Sequence, residues 1–187
     1  MKHILLSLIA SSVLVFSACN EKADKKNEAA RSTTDSHTVT PEERGSFSEL
    51  FPHYQHLSVA LSSDDDKEAA AAAKGMLEAL SKIKLDGFSA EDEATYGHFA
   101  ASVKENAGHI ADKVGNISHQ REHLVVLSKD FYELAKTFGT EKQIYKVFCP
   151  MYDNDKGAYW LSDVNEVRNP YFGSEMLRCG LVQEELN

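Results

Sequence analysis

The sequence predicts a mainly α-helical domain, an antiparallel four-helix bundle with an irregular, short-strand tail packed on it, and three observations lead there. Between Phe51 and Phe138, apolar residues recur three to four apart in four stretches. Short clusters of Asp, Ser, Asn and Gly separate them, which makes successive helices antiparallel neighbours. Beyond Gly139 the pattern changes to alternation broken by Pro150, Gly157, Pro170, Gly173 and Gly180.

The first helix starts at Phe51-Pro52, where a proline suits an opening turn, and carries Tyr54, Leu57, Ala60 and Leu61. Ser63-Asp64-Asp65-Asp66 breaks it and offers an N-cap and favourable negative charge to a second helix over Lys67–Lys84, with a stripe of Ala73, Leu77, Leu80 and Ile83. Asp86-Gly87 ends that helix. Ser89-Ala90-Glu91-Asp92 reads as a capping box for a third helix whose face is Tyr96, Phe99, Val103, Ala107, Ile110 and Val114. After Gly115-Asn116 a fourth helix bears Ile117, Leu124, Leu127, Phe131, Leu134 and Phe138, with Gly139 as its C-terminal stop. Gln143 to Phe148 alternates like a short strand. The tail that follows holds two cysteines, the only tryptophan (Trp160) and several tyrosines, so it is expected to pack on the helices.

Ahead of this domain, Lys2 and His3 precede the apolar run Ile4 to Phe16 and then Ser17-Ala18-Cys19, the order of a secretory signal. The run is shorter than the roughly 20 apolar residues that a membrane span needs. Cys19, directly after Ser17-Ala18, resembles the lipidated cysteine of bacterial lipoproteins. That resemblance implies a signal peptide over 1–18, cleavage before Cys19 and a lipid anchor in the cell envelope. Residues 19–45 are rich in Lys, Glu, Asp, Ser and Thr and bury too little to order themselves, so they read as a disordered tether to a domain over 46–187.

The chain has 29 acidic and 20 basic residues, a formal charge of −9, and no clustered basic surface, which argues against a nucleic-acid partner. With no Gly-x-Ser-x-Gly elbow and no phosphate-cradling glycine loop, no enzyme is expected. His119 to His123 spells the H-x-x-E-H pattern of inverted zinc peptidases, but the short remainder of the chain has no room for their large domain and distal ligand.

Two constellations can carry metal chemistry. With Cys19 assigned to lipid, Cys149 and Cys179 remain as a pair, and Cys149-Pro150-Met151 and Met176-Leu177-Arg178-Cys179 each bring a thioether near a thiol. Soft sulfur ligands of this kind select Cu(I). A structural Cys149–Cys179 disulfide with core methionines is the alternative. His119 and His123 lie four apart and so share one helix face, a spacing that lets two imidazoles hold one ion. His98 and His109, with Ser102, Glu105 and Asp112 on the polar side of the third helix, and His53 and His56 near the first, read as surface residues.

The runs Val147-Phe148-Cys149-Pro150-Met151, Gly157-Ala158-Tyr159-Trp160-Leu161-Ser162, Arg168-Asn169-Pro170-Tyr171-Phe172-Gly173 and Met176-Leu177-Arg178-Cys179-Gly180, together with His119-Gln120-Arg121-Glu122-His123 and Leu127-Ser128, resemble a bacterial envelope domain family of unknown function over about residues 54–184. Its members look like lipoproteins or periplasmic proteins, and similar segments are appended to membrane-fusion subunits of heavy-metal efflux pumps. The resemblance implies copper or a related metal in the envelope and a metal-efflux or other envelope protein as partner. In the same motif, Arg121, Arg168, Asn169 and Trp160 read as structural: an Arg–carboxylate pair and a packed aromatic. The expectation is therefore a non-catalytic envelope lipoprotein that holds Cu(I) with Cys149, Met151, Met176, Cys179 and His119 or His123. The competing expectation is an adaptor module stapled by the Cys149–Cys179 disulfide.

Overall fold

The computed structural model describes residues 47–187. The expected signal peptide, Cys19 and the tether lie outside the described residues. The chain is mainly helical, with a small three-stranded antiparallel sheet at its C-terminal end. Four helices run in succession: α1 Leu50–Ser62, α2 Asp66–Leu80, α3 Ala90–Asp112 and α4 Ile117–Phe138. Each packs against the next, and α4 also meets α1 and α2. Among the described residues no helix is long and apolar enough to cross a membrane.

The helix boundaries follow from their caps. Asp65 caps α2 by accepting the Glu68 N–H at 2.9 Å. Ser89 caps α3, accepting the Asp92 N–H at 3.1 Å while its hydroxyl donates to the Asp92 carboxylate at 2.5 Å. Asn116 caps α4 through the His119 N–H, and Gly139, at φ 75°, ends it.

Two expectations are corrected here. The second helix stops at Leu80, four residues before Lys84, and its buried stripe is Ala69, Ala72, Ala73, Met76 and Ala79; Leu77, Leu80 and Ile83 are only partly buried. The reason is close approach: a face of alanines lets α2 sit tightly on its neighbours, and at Gly75 the ring of His53 lies where a side chain would stand. Val114 falls beyond the end of α3 and is 51% exposed.

The core joins Leu57, Leu61, Met76, Val103, Ile110, Leu124, Leu127 and Phe131. At its lower end Phe47 packs on Phe88, Tyr96 and Phe138, ring centroids 4.7 to 5.7 Å apart.

The tail is more regular than the one strand expected from alternation. β1 Ile144–Cys149 is the middle strand, between β2 Ala158–Ser162 and β3 Leu181–Leu186, both antiparallel to it. Cys149 pairs with Ala158 and Val147 with Trp160, while Phe148 pairs with Leu181 on the other side. β2 is a nearly continuous buried run lying on α4, and β3 is an edge whose Gln183, Glu184 and Glu185 hide a strand from a reading by alternation.

A buried hydroxyl chain fastens sheet to helices. Leu161 N–H donates to Tyr54 Oη at 3.1 Å, so Tyr54 donates to Ser128 Oγ at 2.7 Å; Ser128 then donates to Tyr171 Oη at 3.1 Å, and Tyr171 to the Tyr159 carbonyl at 2.5 Å. Burial holds the Tyr54 and Tyr171 phenols well above their ordinary pKa, so they remain donors.

Candidate metal centre

The turn between α3 and α4 folds the two helices back on each other, with Gly115 at φ 89° and its N–H held by the Asp66 carboxylate. Residues equidistant from the turn therefore face across the hairpin, His123 opposite Asn106 and His109 opposite the His119 turn. His109, His119 and His123 each bring a ring nitrogen within 4.8 Å of the other two. His119 Nε2 and His123 Nε2 are 3.1 Å apart.

Hydrogen bonds on the far side of each ring say which nitrogens are free. Asn106 uses its amide NH₂ on the Ser102 carbonyl (2.9 Å) and hydroxyl (3.3 Å), which leaves its Oδ1 to accept from His123 Nδ1 at 2.8 Å. Glu122 Oε2 accepts from His119 Nδ1 at 3.2 Å. With the Nδ1 of each ring turned to an oxygen acceptor, the two Nε2 atoms face one another, an arrangement that a cation between them satisfies. Two nitrogens at the edge of a tetrahedron around an ion with bonds of about 2.0–2.1 Å stand roughly 3.3 Å apart, close to the spacing here.

Electrostatics agree with this geometry. Burial, followed by the neighbouring His109 and His119, pushes the His123 pKa down and keeps its imidazole neutral, the form that ligates. The support continues inward: Ser102 Oγ donates to Asp130 Oδ2 at 2.6 Å, and burial raises the Asp130 pKa. His119 and His123 are partly buried and His109 is exposed, so the cluster opens to solvent on one side. The His109 ring stacks on His123, centroids 4.4 Å apart and planes at 4°.

The tail sulfurs form a separate group. Cys149, buried at the end of β1, and Cys179, partly buried just before β3, are free thiols with Sγ atoms 2.7 Å apart. Burial and the hydrogen bond with Cys149 push the Cys179 thiol up to about 11. Met151 and Met176 are 47% and 41% exposed, not core gap-fillers. Among the described residues, the group of three or more His, Cys, Asp or Glu ligand atoms is the histidine one, and neither cysteine belongs to it. The six ligands expected from sequence thus fall into two places, imidazoles on the helical hairpin and sulfurs in the C-terminal tail.

His109 and Asn106 escaped the sequence reading, which placed His109 on the surface. It is exposed, yet it also adjoins the pair; the signal that finds it is its distance from the hairpin turn. His56 remains at the surface, with its Nε2 on Glu68 at 2.7 Å, and His98 is exposed. Arg121 is structural: it donates to the Leu61 and Pro170 carbonyls, each at 2.9 Å, and to Asp64 at 2.6 Å. Asn169 is fully buried, donating to the Cys179 carbonyl and accepting the Tyr171 N–H, both at 2.8 Å, and Trp160 is buried beside Tyr171. Arg168 pairs with Glu166 at the surface, 3.5 Å apart.

No curated protein and no solved structure matches this chain. Residues 50–143 match a family model described as Protein of unknown function (DUF3347). The match takes in α1 to α4 with all three histidines and ends one residue before β1, so the sulfur-bearing tail lies beyond it. Covering half of the 187 residues, it assigns the chain to the DUF3347 family.

Proposed function

We propose that this protein is a non-catalytic metal-binding module of the cell envelope, an antiparallel helical bundle whose principal binding centre is His109, His119 and His123. The single observation that carries the reading is the pair of facing Nε2 atoms, 3.1 Å apart, each ring oriented by an oxygen acceptor at its Nδ1. Imidazole donors suit copper, zinc and nickel, and the general affinity order of divalent ions places Cu(II) above Zn(II) at such a site. Three protein ligands and an open side leave a position for water or for a ligand from a partner, which favours hand-off over permanent storage.

Lipid attachment through Cys19, a membrane-proximal position and a metal-efflux or other envelope partner complete the reading and rest on the N-terminal sequence and the resemblance described above. The test is calorimetric titration of the chain with Cu(II) and with Zn(II). One ion per chain is expected, tighter for Cu(II), with affinity lowered at least about 100-fold by His123→Ala and unchanged by Cys149→Ser/Cys179→Ser. Binding that is absent, or indifferent to His109, His119 and His123, overturns the proposal.

A further inference from the structure

The sulfur corner stands apart from the imidazoles and has its own chemistry. Cys149 is fixed in β1, the central strand, whereas Cys179 lies in the irregular segment that approaches β3. Their sulfurs, 2.7 Å apart, are closer than non-bonded contact and lack only oxidation to become a cystine. A disulfide alone leaves the thioethers unexplained: Met151 and Met176, two and three residues along the chain from Cys149 and Cys179, are large apolar side chains left 47% and 41% exposed. Met151 follows Cys149 by two residues and its N–H bonds the Cys179 sulfur, while the Met176 carbonyl accepts the Cys179 N–H at 2.9 Å. Met151 also borders an open groove of about 850 Å³ lined by Phe148, Tyr152, Tyr159 and Phe172.

We infer that Cys149, Cys179, Met151 and Met176 form a second, redox-gated site that takes Cu(I) while the thiols are reduced and is closed when they are joined as a disulfide. In the reduced state Cu(I) replaces the thiol protons, which leave to solvent as Cu–S bonds form, and the thioethers complete a soft ligand set. A bridging ion needs the thiolates roughly 3.7 Å apart for metal–sulfur bonds near 2.3 Å, so Cys179, on the irregular side, must move outward. In the oxidised state the two S–H bonds break and one S–S bond forms; the two electrons and two protons pass to a second disulfide, which is reduced to two thiols. No sulfur anion is then available to the metal. This site is independent of the imidazole centre and survives if that reading fails.

The experiment uses the full chain with Cys19→Ser, so that the pair supplies all its thiols, and with His109→Ala/His119→Ala/His123→Ala to remove the first centre. Cu(I) is titrated anaerobically against bicinchoninate, before and after oxidation by diamide. One Cu(I) per reduced chain is expected, at least 100-fold weaker binding after oxidation, and at least tenfold weaker binding in the reduced Met151→Leu/Met176→Leu chain, whose thiols and fold are retained. Equal binding in both redox states, or no effect of the methionine substitutions, overturns the inference and leaves the pair as the staple of an adaptor module.

Discussion

Asn106 Oδ1 accepts from His123 Nδ1 at 2.8 Å, a bond from the C-terminal half of α3 to the second turn of α4 that decides which nitrogen of His123 is free for an ion. Asn106→Ala is therefore expected to lower Cu(II) affinity by about 10- to 100-fold, the usual effect of losing a hydrogen bond behind a ligating histidine. Asn106→Asp keeps an acceptor at the same place and should restore most of it. Calorimetric titration of both variants checks this; equal affinities for wild type and Asn106→Ala would mean that the ring is oriented by something else.

Asp64 carries a pH dependence. Its side chain accepts the Ser174 N–H at 2.9 Å and pairs with Arg121, and the Ser174 hydrogen bonds, ahead of Arg121, lower its pKa to about 2. A carboxylate whose pKa falls on folding stabilises the protein above its unfolded value near 3.8, and that contribution fades as pH drops toward 2. Asp64→Asn, tolerated at φ 59°, should be less stable than wild type at pH 7, and the gap should close between pH 4 and pH 2. Urea midpoints across that range test the sign.

Tyr54→Phe removes the first hydroxyl of the chain, leaving the Leu161 N–H without its acceptor and Ser128 without its donor. A loss of about 1–3 kcal/mol is expected, the cost of orphaned buried polar groups. Chemical denaturation gives the value, and a change within error of zero would show that water replaces the hydroxyl.

Two glycines should respond in opposite directions. Gly173, at φ +56°, has the Asp64 carboxylate and Arg121 guanidinium where a methyl group would go, so Gly173→Ala should destabilise by roughly 2 kcal/mol or more. Gly97 sits inside α3 with open space around it, and Gly97→Ala should stabilise by about 0.5–1 kcal/mol. Thermal melts of the pair separate steric from backbone effects.

Much of the helical part was legible because its signals are local. The Asp65 and Ser89 caps and the Gly139 stop act within one turn of the residues they serve, and the faces of α3 and α4 repeat at the helical period. The face of α2 was misread because a run of alanines has little hydrophobic contrast, and helix packing then chose the small side chains over Leu77 and Leu80. β2 and β3 were missed because one is buried on both sides and the other is a charged edge, and neither alternates clearly.

By itself, then, the sequence determined the order and span of most helices, and the shared face of His119 and His123. Only the tertiary structure decided that His109 and Asn106 join the imidazoles, that the thiols meet at 2.7 Å, and that sulfurs and imidazoles stand apart. The physical reason is range. Residues four apart on a helix are neighbours by backbone geometry, whereas contacts across a hairpin or between strands depend on how two elements rotate and register against each other, which the packing of the whole core settles.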